Sequence, residues 1–132
     1  MGNPCCNHDS AGCCCAGDID KRPAERILLS LGLADWVAGG GTILTGAGDF
    51  TATVFDVTND QPAPAAPAGV AVVADSLSIG RDLDGEPTVL SFGIEGGTEG
   101  VSYRIDFTAK IRDCSGFVQV VQNCVMVRVP KC

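Results

Sequence analysis

The chain has 132 residues, enough for one domain and a short arm. Its formal net charge of -7, with only nine Lys and Arg, leaves too little positive charge to neutralise a nucleic-acid backbone, so no nucleic acid is expected as partner. The N-terminus shows no basic start followed by an apolar run, and no stretch is long and apolar enough to span a bilayer, so neither a signal peptide nor a membrane partner is expected.

A hydrophobic share of 45% allows a real core, but aromatics at 5% mean that Val, Ile, Leu and Ala must fill most of it. The 17 Gly and 7 Pro favour many short strands and turns over long helices.

Residues 1–20 read as a Cys-rich arm outside the core. They show no periodic apolar pattern, and they carry Asp9, Asp18 and Asp20 but no Lys or Arg. Of the eight cysteines, Cys5, Cys6, Cys13, Cys14 and Cys15 crowd this arm, Cys114 and Cys124 fall near the C-terminus, and Cys132 is the last residue. Adjacent cysteines point in different directions, so the leading reading of the arm is disulfides, above all between neighbouring subunits; Cys114 and Cys124 read as free or intermolecular, and all eight cysteines are inter-subunit candidates. A zinc reading uses Cys5 and His8 with two of the later triplet, Cys13 and Cys15 for example, as a tetrahedral set. Adjacent cysteines cannot easily all ligate one ion, so metal is the secondary reading, and free thiols are the third. Disulfides need an oxidising setting. A chain without a signal peptide is made in a cytoplasm and oxidised after release.

Asp20 to Arg26 reads as a charged hinge that Pro23 closes. Ile27 to Leu33 is a first strand. Ala34-Asp35-Trp36-Val37 carries the lone tryptophan, which is expected to fill a core or corner position; a ligand platform is the lesser alternative. Gly39-Gly40-Gly41 makes a sharp connection. Thr42–Leu44 and Phe50–Val57 are the next strands, rich in β-branched and bulky residues. Residues 59–69 hold Pro62, Pro64 and Pro67, which forbid a helix and stiffen an extended surface crossover; a binding loop is the lesser alternative. Val70–Ala74 and Leu77–Ile79 are short strands. Asp82, Asp84 and Glu86 alternate around Gly85 as in calcium loops, but the full twelve-residue pattern is missing, so a solvated turn is expected. Thr88–Ile94 is the strand before a glycine corner.

That corner, Gly96-Gly97-Thr98-Glu99-Gly100, calls for backbone with φ > 0. Beyond it the chain alternates with period two. Val101, Tyr103, Ile105, Phe107, Ala109 and Ile111 share one face, and Ser102, Arg104, Asp106, Thr108, Lys110 and Arg112 the other. This is a strand buried on one side. Asp113-Cys114-Ser115-Gly116 turns the chain into a Val-rich return from Phe117 to Val129. A hairpin about that turn sets Cys124 opposite about Ile105, so Cys124 does not face Cys114. The Val118, Val120 pattern changes phase before Val125, Val127 and Val129, which predicts a bulge near Gln122-Asn123.

About seven short strands and no convincing helix place residues 21–132 in the all-β class, as an immunoglobulin-like antiparallel β-sandwich. Tyr103 sits just after a corner, where such sandwiches hold a tyrosine hydroxyl on the loop backbone. The only histidine, His8, lies in the arm, so a Ser-His-Asp or Cys-His device on the sandwich is not expected. No phosphate-cradling loop, zinc hydrolase motif or nucleotide fingerprint occurs, and the chain reads as a non-enzyme without a cofactor.

Three pieces carry a family resemblance. They are Lys21-Arg22-Pro23-Ala24-Glu25; Asp35-Trp36-Val37 with Gly40-Gly41-Thr42-Ile43; and Ser91 to Tyr103, followed by a hairpin ending Val127-Arg128-Val129. Together, over residues 21–129, they resemble the short immunoglobulin-like virion proteins of tailed bacteriophages, described as fiber-tail adaptors or as neck and head-associated proteins. The Gly-Gly-Thr-x-Gly-x-x-Tyr motif is the most specific part. The resemblance implies a structural role in the virion. The partners would be other virion proteins of the neck, tail, fiber or capsid, with homo-oligomers and no catalytic residues. A neck or tail adaptor locked by inter-subunit disulfides is the leading expectation, and a capsid decoration protein the alternative. The cysteine arm, the long Pro-Ala loop and the long last hairpin depart from the family pattern.

Overall fold

The computed structural model describes residues 15, 17–37 and 40–131. Gly39, one of the three glycines expected to form a sharp connection, lies outside them. The described residues form two sheets with one short helix. The strands are β1 (Gly17–Asp20), β2 (Ile27–Gly32), β3 (Thr42–Leu44), β4 (Phe50–Asp56), β5 (Gln61–Pro62), β6 (Ala71–Val72), β7 (Ser78–Gly80), β8 (Val89–Glu95), β9 (Val101–Arg112) and β10 (Val118–Val129), and α1 is Ala34–Val37.

The larger sheet runs β1-β10-β9-β4-β5, with β3 also on β9. β3 and β4 follow one another along the same strand, separated by a turn in which Asp49 caps the Gly46 amide at 2.8 Å. The smaller sheet runs β2-β8-β6, with β7 on β8 beyond β6. All pairs are antiparallel except β1 with β10, which is parallel. The all-β class therefore holds, with one parallel edge that the expected antiparallel pattern lacks. The chain leaves β1 in one sheet and crosses directly to β2 in the other, so β1 cannot return as a hairpin partner.

The two sheets bury their apolar faces against each other. Leu29 and Leu31 of β2 and Phe92 and Ile94 of β8 meet Tyr103, Ile105 and Phe107 of β9 and Val125, Val127 and Val129 of β10. β9 alternates as its sequence requires, with Tyr103, Ile105, Phe107, Ala109 and Ile111 all buried. The few aromatics are concentrated: Phe50, Phe92 and Phe107 meet at centroid separations of 5.2–6.3 Å. A second apolar cluster, with Leu33, Val37, Ile43, Leu90 and Val121, fills the other end.

Four expectations need correction. Residues 17–20 are not part of a free arm: they form β1, and Ile19 packs against the core. A single helical turn, α1, carries Trp36 where the sequence suggests no helix; the Trp36 and Val37 amides bond back to the Leu33 carbonyl at 2.9 and 3.2 Å. The last hairpin has no bulge, since β10 pairs with β9 one to one from Val118↔Arg112 to Val129↔Val101. And Cys124 lies opposite Asp106, with Val125 opposite Ile105.

The last two share a cause. Phe117 joins the turn: its amide bonds to the Asp113 carboxylate at 3.0 Å and its carbonyl accepts the Asp113 amide at 2.9 Å. One more residue in the turn moves the register by one and flips the face of every β10 side chain. Val121, Val125, Val127 and Val129 then point inward throughout, while Val118 and Val120 stay outside. No phase change needs a bulge.

Candidate functional site

The glycine corner is built as expected and is more heavily tied than its sequence suggests. Gly96 and Gly97 take φ values of 84° and 122°, conformations that favour glycine. A Cβ on Gly96 would run into the Gly69 carbonyl oxygen, and one on Gly97 would sit 2.9 Å from Val129 Cγ2. Gly100, also at positive φ, bonds through its amide to the Val129 carbonyl at 2.6 Å. Tyr103 is buried, and its hydroxyl accepts the Thr98 amide at 3.1 Å and donates to the Ala68 carbonyl at 3.2 Å. Thr98 Oγ1 donates to that same carbonyl at 2.6 Å, and the Gly97 amide to the Pro67 carbonyl at 2.9 Å. The Pro-Ala crossover is thus sealed onto the corner at its far end.

Lys21 is the residue that sequence reasoning misplaces. Its neighbours suggest a charged hinge, yet it is 1% exposed. Its Nζ donates to the carbonyls of Gly96 at 2.6 Å, Arg22 at 2.8 Å and Pro23 at 3.3 Å. Burial lowers its pKa, against the opposing pull of Glu25 and Glu95. The missed signal is parity: Ile19 faces inward, so Lys21, two residues on, does too.

The N-terminal edge is fastened by a disulfide between Cys15 and Cys124, 109 residues apart, with Cα atoms 4.5 Å from one another. Both are inter-subunit candidates by sequence; this bond lies within one chain. The register shift explains it, because Cys124 falls on the outer face of the strand along whose edge Cys15 arrives. In this bond Cys15 has no thiolate to offer a metal. Beyond it, Arg128 pairs with Asp18 at 3.0 Å and Asp20 at 3.3 Å. Cys114 is exposed and free in the hairpin turn. Cys5, Cys6, His8, Cys13, Cys14 and Cys132 lie outside the described residues.

Past the disulfide, β10 has no strand on its outer edge over Val118–Asn123 among the described residues. Phe117, Val118 and Val120 are exposed there, at 64%, 38% and 57%. Trp36 is half-buried against the second apolar cluster, as a filler, and also lines an open groove of about 220 Å³ with Leu31, Leu33, Phe107, Val121 and Asn123. No titratable side chain lines that groove among the described residues.

The acidic turn is organised by Asp82, whose carboxylate accepts the Asp84 and Glu86 amides at 2.8 and 3.0 Å and the Thr88 hydroxyl at 2.8 Å. These bonds, the Glu86 amide first, hold its pKa below the usual carboxylate range. Asp113 is lowered in the same way, first by the Ser115 hydroxyl. Both carboxylates close turns. The described surface carries an unpaired strand edge, an exposed apolar hairpin and the Cys114 thiol. A scan against family models and a search of curated proteins found no match to this chain.

Proposed function

We propose that this chain is a structural component of a tailed-bacteriophage virion, an immunoglobulin-like adaptor module at the neck or tail that joins other virion proteins. The fold part of this reading is supported by strand order. β2-β8-β6/β7 corresponds to the B-E-D side of such a sandwich, and β10-β9-β3/β4-β5 to the G-F-C side with one further strand. β1, parallel to the last strand, occupies the remaining edge.

The observation that carries the proposal is the corner from Gly96 to Tyr103. It is the most specific motif of the resemblance, and its Tyr103 hydroxyl bonds to the Thr98 amide five residues upstream, as a corner tyrosine does in these sandwiches. Attachment rather than catalysis also suits the exposed apolar hairpin around Phe117 and Val120. Cys5, Cys6, Cys13, Cys14, Cys114 and Cys132 are further candidates for inter-subunit locking in this reading.

Copy number per purified particle tests the role, measured by quantitative mass spectrometry against the major shell protein. About six or twelve copies fits a neck or tail ring. Copies on the order of hundreds replace the adaptor with a capsid decoration protein. Absence from the particle overturns the virion reading.

A further inference from the structure

We propose that β1 is an exchangeable strand: a second copy of this chain seats its own β1 on the β10 edge and is tied there by a disulfide between its Cys15 and Cys124 of the first. The inference deepens the assembly reading above, since a virion ring is what brings copies together.

β1 is lightly held. Its ladder has four residues, all against β10. Its ion pairs to Arg128 join side chains about half exposed or more, and such pairs contribute little. Its covalent tie, Cys15–Cys124, does not persist in a reducing cytoplasm. The connection to β2 is a short exposed turn. The Glu25 amide bonds to the Arg22 carbonyl at 3.1 Å, and the Arg22 amide to Glu25 Oε1 at 2.7 Å. Arg22 precedes Pro23, and a residue before proline prefers extended backbone. Opening this turn lets β1 leave as a unit with Lys21.

A second copy's β1 has the same residues, so it remakes every contact on the vacated edge. Ile19 returns to the core, Asp18 and Asp20 to Arg128, and Lys21 to the Gly96 and Arg128 carbonyls. What is lost is the turn's two bonds and Lys21's contacts to its own neighbours Arg22 and Pro23. High local concentration in a ring offsets the cost of association. Oxidation then fixes whichever arrangement exists. The two thiols release two protons and give two electrons to a low-molecular-weight disulfide such as oxidised glutathione, which leaves as two reduced thiols.

Isotope mixing tests this. Heavy-nitrogen and unlabelled protein, with Cys5, Cys6, Cys13, Cys14, Cys114 and Cys132 replaced by Ser, are reduced and mixed. They are reoxidised with oxidised glutathione at rising protein concentration, then digested and mapped by mass spectrometry. Near-ultraviolet circular dichroism checks that the reduced protein stays folded, and the native chain is run alongside in case the variant does not fold. The expected result is Cys15–Cys124 peptide pairs with one heavy and one light half, increasing with concentration. Only same-isotope pairs at every concentration overturn the proposal. So does an equal yield of Cys15–Cys15 pairs, which marks random collision. Neither outcome depends on particle copy number, so this inference and the virion reading fail separately.

Discussion

Lys21 Nζ donates to the carbonyl oxygen of Gly96 at 2.6 Å, across 75 residues of sequence. The bond joins the end of β1 to the corner that feeds β9. Lys21→Met keeps the stem and leaves that buried carbonyl unpaired, so unfolding free energy in urea should fall by about 1–3 kcal/mol. The pH dependence has a definite sign. Burial lowers the folded pKa of Lys21. Between that value and an unfolded value of about 10.4 the unfolded chain binds more protons, so this group's contribution to stability rises with pH. The variant should lack that rise, and a denaturation series run upward in pH toward the unfolded value of about 10.4 reads it.

Tyr103→Phe keeps the ring in the core and removes the hydroxyl that bridges the Thr98 amide and the Ala68 carbonyl. A loss of about 1–3 kcal/mol in urea denaturation is expected. An unchanged midpoint would show that the crossover holds the corner without the tyrosine.

Gly97→Ala places a Cβ at φ 122° and 2.9 Å from Val129 Cγ2. Strain at such a position is of order 1–3 kcal/mol. Gly116→Ala is the comparison. Its φ of 94° also lies where glycine is favoured, but no atom beyond its own chain neighbours comes within 4 Å of the added carbon. The thermal midpoint should therefore drop further for Gly97→Ala than for Gly116→Ala.

Reducing Cys15–Cys124 reopens a loop of 109 residues in the unfolded chain. A loss of about 2–5 kcal/mol is expected between oxidised and reduced protein, read by chemical denaturation. Cys114→Ser should change stability by less than about 0.5 kcal/mol, because that side chain is exposed and free.

Asp82 and Asp113 both have lowered carboxyl pKa values, from hydrogen bonds donated within their turns. Their contribution is present above the unfolded value of about 3.9 and is lost as pH falls through the folded one. Thermal midpoints measured from pH 5 down to pH 2 should fall less steeply in Asp113→Asn than in the native chain. Parallel curves would remove Asp113 from the acid response.

β9 is legible in the sequence, because a period-two pattern over Val101 to Ile111 states which side of the strand is buried. The glycine corner, the Tyr103 hydroxyl's bond to the Thr98 amide and the turn role of Asp82 are legible because each is a local relation between residue type and backbone. Three features are not. The register of β10 depends on whether Phe117 belongs to the turn or to the strand, and one residue decides the face of Cys124. The pairing of Cys15 with Cys124 depends on that register and on β1 lying parallel to β10. Lys21 looks like a surface charge in its local run of charged residues and becomes a core residue only when Gly96, Arg22 and Pro23 present three carbonyls to its Nζ. The sequence by itself determined β9 and the glycine corner that feeds it, through side-chain periodicity and glycine's access to positive φ. Only the tertiary structure decided which strand borders which and in what register, because those choices rest on contacts between residues far apart in the chain.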